Sequence, residues 1–542
     1  MMIRFFSLIS FLVFSLASSF GQSNFFKFSN DLAGGISTSV FQGNNGLIWY
    51  SFTQNSSTSE VKKEMIFTDY DGNVQKVIQS DSSNKAYDYA AAAPNGATIL
   101  TGNIRIGGQF GNVSWGLITM LDQNGEILWS KRATANESGG FTGVYTDGNI
   151  IYTTFTSYNF FSSTQFWKSS VIAYDMNGNV LWNLPVGYPG LVSNFYFRAS
   201  TIAENGDFIG VVDVAGSQNV QATGIVVIRV TPAGQITWKK FINWNADYPN
   251  SSVNGIVEGP NGFIYVGCRL MTGPSSTYTT DLWIGKFDSS GILVDQRIYK
   301  SGTDVGENIS GMSKSDNELL VYVRRYSPFE TILNQVDILG IDFQTLEVGL
   351  AGSSPANIIR ESVYGDDGPA LVVGPDGSMF TSGVVFCEEN LTRYLTMMKW
   401  TSGANTACSS EDVSELYYDS LSTFEAVDFN LSGGSEPDYA NESADVVVFP
   451  NIQFLDFCAG CAVSTGIKTI SQNNHLGFYP NPTFGFIQFE NPIDSFEITD
   501  LQGRLVLSYS GELVSSFDLS ELKPGMYIVN SHAKSSKLMI NK

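Results

Sequence analysis

A turn of the form Asp-x-x-Gly, followed at once by an apolar segment, recurs along most of the chain and constrains its fold more than any other feature. Leu121-Asp122-Gln123-Asn124-Gly125-Glu126-Ile127-Leu128-Trp129 and Tyr174-Asp175-Met176-Asn177-Gly178-Asn179-Val180-Leu181-Trp182 match nearly residue for residue. Val230-Thr231-Pro232-Ala233-Gly234-Gln235-Ile236-Thr237-Trp238 is a third copy. Asp69 to Gly72 and Asp288 to Gly291 keep the turn but carry Lys76 and Asp295 where the tryptophan would stand, and weaker copies fall at Ile341-Asp342-Phe343 and Lys399-Trp400-Thr401. The turn-opening positions 69, 122, 175, 231, 288, 342 and 401 are separated by 53, 53, 56, 57, 54 and 59 residues. A second marker, an Asn-Gly-like turn before an apolar run, also occurs seven times, at Asn45-Gly46, Asn95-Gly96, Asp147-Gly148, Asn205-Gly206, Asn261-Gly262, Asp316-Asn317 and Asp376-Gly377.

Asn-Gly and Asp-Gly tolerate the positive φ that a tight hairpin requires. The flanking runs are rich in Val, Ile, Phe, Tyr and Thr and have strand length. Runs such as Ile225-Val226-Val227-Ile228 are apolar at consecutive positions, which fits strands covered on both faces. No segment keeps a 3.6-residue apolar period long enough for a helix. Seven such units, none able to bury its faces alone, are expected to close into an all-β, seven-bladed β-propeller. The period of two would put Ile127 with Trp129, and Val180 with Trp182, on one strand face, with the indoles packing between blades. Closure of a ring needs a strand from each terminus in one blade, and Phe25-Phe26-Lys27-Phe28 is the candidate for the N-terminal contribution.

The Asp-x-x-Gly-x-x-x-Trp copies resemble the repeats of pyrroloquinoline-quinone-type propellers and their non-enzymatic relatives, over residues 35–406. The resemblance implies the propeller shape. The adjacent Cys-Cys pair of the dehydrogenases is missing and their usual blade count is eight, so no quinone cofactor is expected.

Only two histidines occur, His475 and His532, and neither lies in the repeats. That removes Ser-His-Asp and Cys-His nucleophilic sites, His-ligated zinc and imidazole acid–base chemistry from the repeat region. Paired carboxylates could serve a glycosidase, and Asp366-Asp367 and Glu388-Glu389 are adjacent pairs. Neighbouring residues on a strand point to opposite faces, however, and in loops they are usually solvated. The Asp-x-x-Gly turns lack calcium-loop spacing, which puts Gly five residues after the first Asp; a calcium ion elsewhere on so acidic a surface stays open. With 52 acidic against 30 basic residues, a net charge of −22, the chain repels phosphate backbones, so no nucleic-acid partner is expected. Aromatic clusters in expected loops (Tyr158, Phe160, Phe161, Phe166 and Trp167; Tyr188 and Phe195; Trp244 and Tyr248) offer stacking surface for a sugar or a partner protein. Tyr158, Phe161 and Trp167 form the candidate ligand-binding loop, because their hairpin is longer than its neighbours.

The two ends of the chain read as addresses. Arg4 followed by the apolar Phe5 to Phe20 is a secretory signal peptide, with Ser19 and Gly21 suiting the cleavage site and Gln22 as the mature start. No other stretch reaches the run of about 18 apolar residues a membrane helix needs. At the other end, Tyr479-Pro480-Asn481-Pro482 with Gly485, Asp500-Leu501-Gln502-Gly503-Arg504, and Leu522-Lys523-Pro524-Gly525-Met526-Tyr527 resemble the type A C-terminal sorting domain of the type IX secretion system of Gram-negative bacteria. The resemblance implies a small Ig-like β-sandwich recognised by the outer-membrane translocon. It also implies later removal of the domain, with attachment to surface lipopolysaccharide or release. The expected order is therefore signal peptide 1–21, propeller 22–408, acidic and partly structured extension 409–475, and sorting domain 476–542. The extension has no Lys or Arg between Lys399 and Lys468, and it carries Cys458-Ala-Gly-Cys461. An oxidising compartment favours a structural disulfide of Cys408 with Cys458 or Cys461.

These readings point to a secreted, surface-associated or extracellular propeller that binds a glycan or protein partner, better described as an adhesion module than as an enzyme. The alternative is a hydrolase or lyase with paired carboxylates on the propeller face.

Overall fold

The computed structural model describes residues 26–29, 35–54, 61–80, 85–108, 111–134, 138–158, 167–186, 193–216, 224–244, 252–272, 279–300, 306–326, 334–353, 358–359, 370–387, 392–400, 411–412, 418–421, 424, 426–428, 438–441, 446–449, 454–456, 478–479, 483, 485–500, 504–531 and 534–541. The chain divides into two compact units, Met1–Cys461 and Ala462–Lys542.

The first unit is a seven-bladed propeller built from seven antiparallel sheets. Blade 1 runs outward through Gly35–Gln42, Leu47–Gln54, Val61–Thr68 and Val74–Ser80. Blades 2 to 6 repeat that four-strand meander over 85–134, 138–186, 193–243, 252–300 and 306–353. In blade 7 the innermost strand is in two pieces, Ile358–Ile359 and Leu371–Val373, both paired with Met379–Cys387. Thr392–Trp400 follows, and the fourth strand is Phe26–Ser29 from the N-terminal end, with Phe26 opposite Met398 and Phe28 opposite Thr396. The expected N-terminal closure strand is therefore found in place. Each innermost strand packs against those of the neighbouring blades, and blade 7 against blade 1, which closes the ring.

The core lies between blades. One cluster joins Ile78, Tyr89, Ile118, Phe141 and Phe155 from three successive blades; another joins Val227, Ile242, Val266 and Trp283. Gly224–Val230 is buried at every position, as expected for a strand sandwiched between two sheets. The only helical turns among the described residues are Pro94–Gly96 and Pro260–Gly262. In each, the asparagine adopts positive φ (61° at Asn95 and 59° at Asn261), the geometry for which the Asn-Gly pair is suited.

After blade 7 the acidic segment turns back around the outside of the ring. Glu411–Asp412 adds a fifth strand to blade 6, Tyr418–Leu421 to blade 5 and Ala426–Asp428 to blade 4. Asp438–Asn441 then adds to blade 2, Val446–Phe449 to blade 1, and Phe454–Asp456 to Phe26–Ser29 in blade 7. This segment is a belt of short edge strands, running against the order in which the blades were built.

The second unit is a β domain of five strands: Phe478–Tyr479, Phe486–Asp500, Leu505–Asp518, Gly525–Ser531 and Lys534–Ile540. The long Phe486–Asp500 pairs with three of the others, and its register with Leu505–Asp518 shifts between Gln488 and Ser495. Ile487, Phe489, Phe496, Ile498, Val529 and Leu538 form its core.

Candidate functional site

The tight turns within each blade, first-to-second and third-to-fourth strand, share one face of the ring by the alternation of the meander. Their carboxylates are spent on the turns themselves. Asp122 Oδ1 accepts the N–H groups of Asn124 and Glu126, each at 2.8 Å. The Glu126 N–H first, with Asn124 and Gly125, holds this carboxyl below its ordinary range. Asp175, Asp288 and Asp342 repeat the arrangement. A hairpin lock accounts for these aspartates, and no described group of three His, Cys, Asp or Glu is placed to hold a metal ion.

In the third-to-fourth-strand turns of blades 1 to 6, the second residue presents its carbonyl to a donor from the preceding blade. Trp129 Nε1 donates to Met176 at 3.0 Å, Trp182 to Pro232 at 2.8 Å and Trp238 to Ser289 at 2.9 Å. Where the tryptophan is missing, another donor substitutes. Lys76 Nζ reaches the Gln123 carbonyl (3.2 Å), Tyr265 Oη (2.7 Å) and Lys286 Nζ (2.8 Å) reach Phe343, and Lys399 Nζ reaches Tyr70 (3.3 Å). The indoles thus join blades, as expected. The expected sharing of a face does not hold. Leu128 and Leu181 are extra residues in one-residue bulges, so the period of two breaks beside the turn. Ile127 and Val180 are left exposed.

The innermost strands carry a second regular device that the turn repeat did not disclose. In blades 1 to 6 each has a one-residue bulge, and the extra residues are Ile36, Asp88, Thr142, Arg198, Asn254 and Ser310. In blades 2 to 6 the bulged residue stands four places before the strand's last residue (92, 146, 202, 258 and 314). A bulge re-aims a side chain, and here five of the re-aimed residues are polar, on the strands nearest the ring's axis. Asp88 Oδ1 accepts from Tyr50 Oη (2.9 Å) and Lys63 Nζ (2.5 Å), and its Oδ2 accepts from Asn103 Nδ2 (3.5 Å). Arg198 Nε donates to Asp213 Oδ2 (3.0 Å), while Asp213 Oδ1 accepts the Val253 N–H of the next blade (3.0 Å). Burial pushes the Asp213 carboxyl up, and Arg198 and the Val253 N–H pull it back. Thr142 Oγ1 bonds Thr154 (3.0 Å), and Ser252 Oγ donates to Asn254 Oδ1 (3.3 Å). Carboxylate, ammonium, guanidinium, amide and hydroxyl groups so arranged can hydrogen-bond a polar ligand. The signal in the sequence was a spacing of 54, 56, 56 and 56 residues between positions 88, 142, 198, 254 and 310.

The longer connections leave from the opposite face. In blade 3 the second and third strands, Ile150–Tyr158 and Trp167–Asp175, are joined by the longest second-to-third connection of any blade. Tyr158 and Trp167 are register partners at its base; Phe161 lies outside the described residues. Phe195 and Trp244, which the sequence placed among loop aromatics, are buried at 3% and 2% exposure. Trp244 packs edge-on against Trp283, with ring centroids 5.3 Å apart. Gly21, Gln22, Cys408, Cys458 and Cys461 lie outside the described residues, as do the Asp366-Asp367 and Glu388-Glu389 pairs. Cys268 is buried and free, and burial, with Asp213 nearby, pushes its thiol up.

In the second unit, Asp500 and Arg504 repeat the turn lock of the blades. Arg504 N–H and Nε donate to the Asp500 carboxylate at 3.0 and 2.7 Å. Gly485 adopts φ 126°, and a Cβ there would meet Ser520 Cα at 3.0 Å. Tyr527 is buried and donates to the Lys523 carbonyl (2.9 Å). Gly525 opens the Gly525–Ser531 strand. Tyr479, Phe486, Leu505, Leu513 and Met526 are exposed. Pro480, Asn481, Pro482 and Gly503 lie outside the described residues.

The architecture defines a class: an all-β chain with a seven-bladed propeller ahead of a separate C-terminal β domain. Residues 477–542 match the secretion system C-terminal sorting domain family. This is the type IX tail that the motifs resemble, and it marks the chain for secretion to the cell surface or beyond through that export machinery. No curated protein matches the chain. Among solved structures, a protein of unknown function from Dyadobacter fermentans is 10% identical, covers 61% of this chain and 96% of its own, and has a TM-score of 0.35. A variant of the Synechocystis apocarotenoid oxygenase is 10% identical, covers 59% and 70%, and scores 0.34. A subtype N11 neuraminidase-like protein of influenza A from a flat-faced bat is 8% identical, covers 68% and 89%, and scores 0.33.

Proposed function

We propose that this secreted propeller is a ligand-binding or adhesion module for a glycan or protein partner, displayed at the outer-membrane surface or released outside it. The reading rests on one observation above the others: five successive blades present a polar side chain at the same bulge of the innermost strand. Imidazole chemistry has no residue to work with there, since both histidines of the chain fall after residue 474. The blade 3 hairpin, with Tyr158, Phe161 and Trp167, is the proposed stacking surface at the rim. Export begins with cleavage at Gly21/Gln22 and passage through the periplasm. It ends with recognition of the tail around Tyr479 to Pro482 by the translocon, then removal of the tail and attachment to lipopolysaccharide or release. A disulfide of Cys408 with Cys458 or Cys461 forms on that route.

A glycan array combined with a hydrolysis screen on the secreted protein tests the reading. Binding without turnover, reduced by Trp167→Ala, is the expected outcome; turnover of any substrate would overturn it in favour of a carboxylate hydrolase or lyase. Separately, removal of residues 476–542 is expected to leave the protein in the periplasm, and normal display of that truncation would refute the export route.

A further inference from the structure

The belt pairs with the outer strands of six blades, only along their final residues in blades 1, 2, 4, 5 and 6: 77–80 in blade 1, 131–134 in blade 2, 240–242 in blade 4, 297–300 in blade 5 and 352–353 in blade 6; among the described residues blade 3 carries no belt strand. In blade 7 it pairs with 27–29. Its register sets acid against base at two positions. Asp428 stands opposite Lys240 and Asp456 opposite Lys27, and the paired stretches also include Lys131, Arg132, Arg297 and Lys300. The belt itself lies within a 68-residue run (400–467) without Lys or Arg. Between two of its strands, Phe424 enters an aromatic socket made by blades 4 and 5. Its ring lies 4.9 Å from Trp244 and 6.3 Å from Trp283, and its carbonyl accepts Gln296 Nε2–H at 2.7 Å.

Without the belt, the outer strands would present open rows of N–H and C=O groups, the usual template for pairing with another chain. Two of the same strands already expose Ile127, Leu128 and Val294 at their uncovered ends, which would add apolar attraction to any such pairing. Every belt strand sits outside a sheet that is complete without it, so no blade needs the belt in order to form. Strand pairs of two to four residues hold weakly one at a time. Phe424 in its socket, and the acid–base register at Lys240 and Lys27, are what ties the belt down between them.

We propose that the belt is an edge guard: a separately opening unit, held by charge and by Phe424, that docks after ring closure and keeps the blade edges from pairing with a second copy of this chain. It opens without the ring opening, and its opening exposes a surface that a second copy fits.

The test is amide hydrogen exchange on the full chain, with particle mass measured by light scattering. In the unaltered protein, raising NaCl to about 1 M shortens the screening length to roughly 3 Å. Exchange in 411–456 should then accelerate while the innermost strands stay protected. Phe424→Ala should speed belt exchange at low salt by about tenfold or more and make the particle mass rise with concentration. Two results would overturn the proposal: belt and innermost strands exchanging together at every salt concentration, or a freed belt on a particle that stays monomeric. The salt series needs no variant, so a misfolded Phe424→Ala protein would not rescue the idea.

Discussion

The indole N–H of Trp129 donates a 3.0 Å hydrogen bond to the carbonyl of Met176, in the tight turn of the following blade. The same ring lies over Gly178 of that turn, where a Cβ would come within 2.9 Å of it. The pattern that recurs along the sequence, Asp and Gly in the turn and Trp after it, therefore joins two blades and not one hairpin. The turn is shaped by its own aspartate, and its glycine leaves room for the tryptophan of the blade before. Repeats of this kind gain stability from nearest-neighbour interfaces, and this latch is the polar part of that interface.

Trp182→Ala should destabilise the propeller by about 2–4 kcal/mol, since it empties a partly buried aromatic site between blades 3 and 4. Trp182→Phe should cost less, about 1 kcal/mol, because it keeps most of the ring and removes only the donor to the Pro232 carbonyl. Urea denaturation of the two variants separates the packing from the hydrogen bond. Equal losses would mean that the hydrogen bond, not the ring, carries the latch.

Two glycines of nearly equal φ make a controlled pair. Gly178 (φ 77°) lies under Trp129, whereas at Gly377 (φ 76°) an added Cβ would have nothing within 4 Å. Gly377→Ala should cost only the backbone strain of a left-handed residue, about 1 kcal/mol. Gly178→Ala should cost that plus the displacement of the indole, roughly 2–3 kcal/mol. Thermal melts that rank the two the other way would show that the indole yields freely.

The ring was legible because its turns need particular residues: positive φ calls for Gly or Asn, and Gly125, Gly178, Gly234 and Gly291 all adopt it. Blade 6 shows the limit of that signal. Its turn is one residue longer, from Asp342 to Glu347, and puts Leu346 at φ 56°; Leu346 is fully buried and its carbonyl accepts from Tyr299 Oη at 2.7 Å. Tertiary burial overrode turn chemistry there, so the pattern faded. The inner bulges left a weaker mark, since a bulge needs no one residue type and Asp88, Thr142, Arg198, Asn254 and Ser310 share only polarity. The belt's composition was visible, but its strands are two to four residues long and draw their order from edges supplied by distant sequence. No local period could encode that.

Acid should loosen the turn-bearing face. The carboxyls of Asp122 and Asp342 are held below their ordinary range, chiefly by the backbone N–H of Glu126 in the first case and of Thr345 in the second. A depressed folded-state value contributes stability that is present above the unfolded carboxylate range, near pH 4, and is lost as pH falls through the folded value. Asp213 and Asp281, raised by burial, act in the opposite sense and favour the fold as they protonate. Denaturant midpoints measured from pH 6 down to pH 2 should fall below about pH 4, and Asp122→Asn should make that fall shallower. An unchanged acid limb in Asp122→Asn would exclude this turn as a contributor.

Asp88 offers the sharpest separation of binding from stability. Its carboxylate gathers Tyr50 and Lys63 of blade 1 and Asn103 of blade 2 around one bulge. The ion pair with Lys63 is about one-fifth exposed on each side (21% and 17%), so solvent screens it and its net contribution should be about 1 kcal/mol or less. Asp88→Asn preserves the shape and the acceptor for Tyr50 while removing the charge. If the bulge residues contact a polar ligand, this change should weaken binding to whatever the array identifies by about tenfold, the equivalent of one charge-assisted hydrogen bond, with the melting temperature nearly unmoved. A lowered melting temperature with unchanged affinity would instead make Asp88 a blade-to-blade strut. Adding Lys63→Met completes a double-mutant cycle: coupling seen in affinity but not in stability would place both groups on the ligand, because a strut would couple only in the folded-state energy.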